Sequence, residues 1–128
     1  MKIEKTDLRG IVESESLRLA KKFLGEKVAV IMDRPKNSKH PKHGFKYDEN
    51  YGYVEGVIAP DGEELDAYYL GVDESLEKAE GICIAIVHRL KDDDDKLVVV
   101  PAGMNLTNNE IEEKVKFQEQ WFEHVIIR

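Results

Sequence analysis

Apolar residues recur along this chain mostly in short alternating runs, with two stretches at helical spacing. Ser14 is placed to cap a helix running to about Leu24, with Leu17, Ala20 and Leu24 on one face and Gly25 as its stop. Lys27 to Met32 is β-branched and alternates well enough for a strand. Arg34 to Asp48 contains Pro35, Pro41 and Gly44 without periodicity and reads as a loop. Tyr51 to Ile58 is a strand interrupted by Gly52 and Gly56, which mark a bulge or a close approach of backbone. Pro60-Asp61-Gly62 makes a turn, and Leu65 to Val72 returns as the antiparallel partner. Gly81 to Arg89 and Lys96 to Pro101 form another hairpin around the acidic loop Lys91–Asp95. Thr107 with Glu110 three residues on is a capping box. It opens a helix with Ile111, Val115 and Phe122 on one face and Trp121 close by, and Val125-Ile126-Ile127 returns as a short edge strand. Strands joined as hairpins, with helices kept to the ends, predict a mostly β (α+β) fold: a small barrel with flanking helices. No linker or internal repeat divides the chain, so residues 1–128 are expected to form one domain.

Composition narrows the class. With 128 residues, 41% of them hydrophobic, the chain can bury a real core. The longest apolar run, Ile82 to Val87, has six residues, against about 20 for a membrane span. Its first 24 residues mix charges throughout, without a secretory apolar segment. Neither a membrane nor an export route is expected, and the location implied is cytoplasmic. The single cysteine, Cys83, has no disulfide or thiolate-zinc partner and reads as an inert core residue.

The net charge of −7 conceals a segregation of sign. Arg34 to Tyr47 has five basic residues and no acid, whereas residues 48–95 carry fifteen acids against three bases. Blocks of opposite sign suit a metal-bound anion, with carboxylates for the cation and Lys and Arg for the anion; they also suit a charged loop beside solvated faces. Nucleic acid is a poor partner, because the basic stretch is short and the whole is acidic.

The sharpest local feature is Asp61-Gly62-Glu63-Glu64-Leu65-Asp66. Around a turn, i and i+2 can converge and i+5 can re-enter on the same side, a cradle for a hard divalent cation; an ordinary solvated turn has the same composition. Asp92 to Asp95 closes the next hairpin, so both acidic turns are expected at one end of the barrel. Tyr47 and Tyr51, next to the basic loop, can either donate hydroxyls to an anion or pack as core. None of His40, His43, His88 and His124 has metal-ligand spacing, and no Gly-rich phosphate loop or acyl-transfer elbow is present.

Asn50-Tyr51-Gly52-Tyr53, followed by Asp61-Gly62-Glu63-Glu64-Leu65-Asp66, resembles the NYGY and DGDPxD signature of the family I soluble inorganic pyrophosphatases. Asp94-Asp95-Lys96-Leu97-Val98-Val99-Val100-Pro101 is similar to that family's D-x-K-L-V-x-V-P segment, and Val28 to Ser38 to its first strand and following loop. The resemblance covers roughly residues 27–103. It implies an OB-like five-stranded antiparallel barrel that hydrolyses pyrophosphate with several Mg²⁺ ions, or Mn²⁺, and relatives that are often homo-oligomers. By position it implies Asp61, Asp66, Asp94 and, less directly, Asp92 as metal ligands, and Glu63 as the base that activates water. Tyr51 and Lys96 would assist catalysis, and Arg34, Lys39, Lys42, Tyr47 and Lys96 would bind phosphate. Departures are equally specific: Glu63 and Glu64 replace an aspartate and a proline, and the family's late Tyr-Lys pair is absent from Phe122-Glu123-His124-Val125-Ile126. Such departures leave open a related organic diphosphate as substrate, or a barrel that only binds an anion or a partner.

Overall fold

The computed structural model describes residues 14–92 and 94–128. In chain order the elements are helix α1 (Glu15–Lys21), strands β1 (Lys27–Arg34), β2 (Asn50–Ile58), β3 (Glu64–Tyr69), β4 (Lys78–Arg89) and β5 (Lys96–Val100), helix α2 (Asn108–Glu119), and strand β6 (His124–Ile127). The strands run β1-β2-β3-β5-β4 and close by a β1–β4 pairing, with β6 attached to the far half of β4. This is the OB-like barrel expected, with one correction: β3 and β5 are parallel. Directions cannot alternate all the way round a closed ring with an odd number of strands, so one seam of five must be parallel.

That seam positions the chemistry. Ala67 pairs with Leu97, which sets Asp66 and Lys96 side by side on the same face of adjacent strands. Leu65, Ala67, Tyr69, Leu97 and Val99 point into the barrel and pack with Leu17 and Ala20 of α1. Tyr68, Val98 and Val100 point outward and are covered by Ile111 and Val115 of α2. Asp66 and Lys96, at the same parity as this second group, therefore face outward near the C-terminal end of α2.

Both predicted caps are in place: Ser14 accepts from the Leu17 N–H, and Thr107 and Glu110 form the full capping box. Phe122, expected on the face of α2, lies beyond it, because the helix ends at Glu119. Gly52 is a close approach, where a Cβ would sit 1.8 Å from the Ile31 carbonyl oxygen. Gly56, at φ +80°, falls within the irregular register between Tyr53 and Ile58. The stretch read as an aperiodic loop is partly a small hairpin, held by Asn37 and Tyr47, Tyr47 and Ser38, and His40 and Phe45 backbone bonds and a Lys39–Lys46 bridge. Asn50 anchors its base: its Oδ1 accepts from the Lys36 and Leu76 N–H groups, and its Nδ2 donates to the Glu74 carbonyl.

Candidate active site

Between the outer barrel face, the 34–48 hairpin and the end of α2 lies a pocket of about 720 Å³. At its polar end the Lys96 ammonium, 2% exposed, donates to Asp66 Oδ2 at 2.8 Å and to Asp94 Oδ1 at 3.1 Å. Asp94 Oδ2 also accepts from Arg89 at 3.4 Å. Arg89 is fixed from behind by Glu119, which accepts from its Nε at 3.0 Å and its Nη2 at 3.1 Å, a bidentate grip on a fully buried carboxylate. Burial opposes the charge on Arg89, but Glu119 and Asp94 outweigh it and raise the guanidinium's pKa.

The chain of bonds continues across the pocket floor. Tyr68 donates to Glu119 at 2.6 Å and accepts from Gln118 Nε2, while Gln118 Oε1 accepts from the Tyr47 hydroxyl at 2.8 Å. Burial pushes the Tyr47 phenol up to about 12, so it stays a proton donor at neutral pH. Tyr51 is buried beside Asp66, and desolvation together with that carboxylate raises its pKa well above the ordinary phenol value. Asp33 and Arg34, at the end of β1, complete the polar end. Loss of solvation raises the Asp33 pKa, as does the charge of Asp66, while neighbouring Arg34 opposes them.

Asp66, Asp94, Lys96, Tyr47, Tyr51 and Arg34 are thus brought together. Other residues implied by the resemblance are not. Asp61 lies on an exposed hairpin tip, where its Oδ1 accepts from the Glu63 N–H at 2.9 Å, so the carboxylate serves its own turn. Glu63 is also exposed, in the bend just before β3 and outside the pocket lining. Asp92 sits half-exposed at the next tip, 3.7 Å from Arg89. Lys39 and Lys42 are on the solvent side of their hairpin, outside the pocket lining. Each acidic stretch gives one carboxylate to the pocket, Asp66 and Asp94, whereas Asp95 turns inward, accepting from the Arg89 N–H and pairing with His88 at 2.9 Å. Asp93 lies outside the described residues.

Asp33, Arg89, Gln118, Glu119, Trp121 and Phe122 were not singled out for the site by sequence. Arg89 and Glu119 lie 30 residues apart and meet only because α2 crosses the barrel face. A charged residue interrupting an otherwise apolar strand end, as Arg89 does, was the one available signal.

No group of three or more His, Cys, Asp or Glu side chains is assembled for a metal among the described residues. The donor chemistry nevertheless fits Mg²⁺, which commonly takes one or two carboxylates and completes its shell with water and substrate phosphate. Asp66 and Asp94 each give one oxygen to the Lys96 ammonium, so a metal here would draw on their second oxygens. Asp33, Asp66, Asp94 and the backing Glu119 also outnumber Arg34, Arg89 and Lys96, so a polyanion entering this end would be repelled without further positive charge.

No protein-family profile matches the chain, and no curated protein matches it. Solved structures do. The chain is similar to an inorganic pyrophosphatase from Ehrlichia chaffeensis, at TM-score 0.58 and 15% identity over 79% of this chain and 84% of that one. It is similar to one from Neisseria gonorrhoeae at TM-score 0.58 and 22% identity, covering 73% and 72% of the two chains. A Helicobacter pylori inorganic pyrophosphatase gives TM-score 0.57 and 16% identity over 74% and 75%. The fold is that of these inorganic pyrophosphatases.

Proposed function

We propose that this chain is a Mg²⁺-dependent hydrolase of phosphoanhydrides, with inorganic pyrophosphate as the simplest substrate. The observation that carries the reading is the buried Lys96 ammonium braced by Asp66 and Asp94 at the polar end of a pocket on a pyrophosphatase-like barrel. Asp66 and Asp94 are the residues that would hold Mg²⁺, with Asp33 facing them. The ion would neutralise phosphate charge and lower the pKa of a bound water.

The chain's own groups supply the rest. Arg34 donates to the Asp33 carbonyl at 2.9 Å and, unlike Arg89 and Lys96, is not gripped by a carboxylate among the described residues, so its guanidinium is the first contact for an incoming phosphate. Lys96 and Arg89, fixed by carboxylates, present positive charge where the leaving phosphate gains negative charge, without reorganising at the moment of reaction. Tyr47 and Tyr51 remain protonated, and each would donate to a phosphate oxygen by turning its hydroxyl from its present acceptor, Gln118 for Tyr47 and Asp66 for Tyr51. With Glu63 outside the pocket, Asp33 is the carboxylate in place to take a proton from water.

Phosphate release from pyrophosphate tests this reading with the purified chain. Turnover in Mg²⁺ that is lost in EDTA, and in Asp66→Asn and Asp94→Asn with the fold intact, is the expected outcome. Full activity in Asp66→Asn would remove that residue from the site, and no release with Mg²⁺ or Mn²⁺ would sink the proposal.

A further inference from the structure

The hydrolytic reading uses only one half of the pocket. The other half is aromatic. Phe45 is its hub, with ring centroids of His40 at 4.9 Å, Trp121 at 5.2 Å and Tyr47 at 5.4 Å. His43 lies 4.7 Å from His40, and Phe122 carries the Arg89 guanidinium 3.6 Å above its ring. Trp121 is nevertheless 60% exposed and Phe122 38%, two large apolar side chains left to water at the mouth of a charged cavity.

A bare pyrophosphate does not account for this wall. It is a small polyanion and gains nothing from apolar faces, and the volume of about 720 Å³ falls in the range of about 300–1,000 Å³ typical for larger organic ligands. The exposed indole, tilted 47° against Phe45, keeps much of its surface available, and aromatic platforms next to a phosphate site are what nucleobases stack on. The pKa of His40 is lowered, by desolvation first and then by His43, Arg34 and Lys42, which keeps it a neutral ring in the stack.

We propose that the preferred ligand of this pocket is a nucleoside diphosphate, with its diphosphate at the Arg34–Asp66–Lys96 end and its base stacked on the Trp121–Phe45 wall. The inference rests on the phosphoanhydride reading of the same pocket and adds the substrate class. Arg34, with a Mg²⁺ that Asp66 and Asp94 would hold, would meet the charge, while the base covers the exposed rings.

Trp121 is the only tryptophan, so intrinsic emission reports on this wall directly. The test uses the full chain with Mg²⁺ and the non-hydrolysable pair α,β-methylene-ADP and methylenediphosphonate, followed by fluorescence and calorimetry. The nucleotide should change Trp121 emission and bind at least tenfold tighter than the diphosphonate. Trp121→Ala, at an exposed position, should reduce that affinity ratio at least tenfold, in line with the typical contribution of base stacking. Equal affinities, or a ratio unmoved by Trp121→Ala, overturn the proposal; dimethylallyl diphosphate binding as tightly as α,β-methylene-ADP would assign the wall to an apolar tail and overturn it too. Phosphate release assayed in parallel separates the two readings. Nucleotide preference without turnover fails the hydrolase alone, and pyrophosphate turnover without nucleotide preference fails this inference alone.

Discussion

The almost wholly buried Lys96 ammonium is held by two partly exposed carboxylates, Asp66 at 31% and Asp94 at 38% side-chain exposure. Replacing it by an apolar side chain of similar length should spare the fold, since both carboxylates can hydrate, and remove the function. Lys96→Met is therefore expected to lower phosphate release at least about a hundredfold, a magnitude usual for a fixed charge-stabilising donor. Glu63→Ala, in contrast, should change the rate by less than about threefold, because Glu63 is exposed on a tip outside the pocket. Steady-state rates of the two variants, with circular dichroism as a folding control, check both; a large loss in Glu63→Ala would bring that turn into the site. Asn50 and Gly52 show what a local motif can carry. The asparagine ties two loops together through three bonds and the glycine admits the Ile31 carbonyl, so both are scaffold roles within a stretch that sequence alone offers as a signature.

Among elements, the end of α2 matters most for the pocket, since it delivers Gln118, Glu119, Trp121 and Phe122. Its return into β6 is secured at His124, whose Nδ1 faces the Phe122 carbonyl at 2.8 Å and whose Nε2 faces the Glu112 carboxylate at 2.6 Å. Both partners are acceptors, so both ring nitrogens must carry protons. Burial works against the charged ring, but Glu112 and the Phe122 carbonyl prevail and raise its pKa. A raised folded pKa means that this stabilisation is fully present below the ordinary value of about 6.5 and is lost as pH rises through the folded value. Urea melts of the native chain and His124→Gln should therefore differ more at pH 6 than at pH 9. The change should be about 0.5 kcal/mol, modest because Glu112 is 43% exposed and solvent-screened. A gap independent of pH would show that the ring acts only by packing.

At the scale of the whole molecule, the barrel interior is reported by one thiol. Cys83 is fully buried among Val28, Ile86 and Val99, and burial pushes its pKa up to about 11. Its labelling by a thiol reagent at pH 8 should be at least about a thousandfold slower than in the urea-unfolded chain, because access requires opening of the barrel core. Rapid labelling without denaturant would mean that the β4–β5 region opens on its own. The acidic and basic blocks also resolve at this scale: most lysines of the 34–48 hairpin face water, while its rings His40, Phe45 and Tyr47 face the pocket.

The sequence by itself determined the local features: both helix caps, the strand order along the chain, the glycine close approach in β2, and the short motifs that bracket Asp66, Asp94 and Lys96. These depend on neighbours within a few residues, where alternation, capping and turn chemistry act directly on the backbone. Only the tertiary structure decided the parallel β3–β5 seam, the outward face on which Asp66 and Lys96 meet, and the Arg89–Glu119 grip. Those depend on closing an odd-stranded ring and laying α2 across it, which joins residues 30 or more positions apart whose separation in the chain carries no trace of the contact.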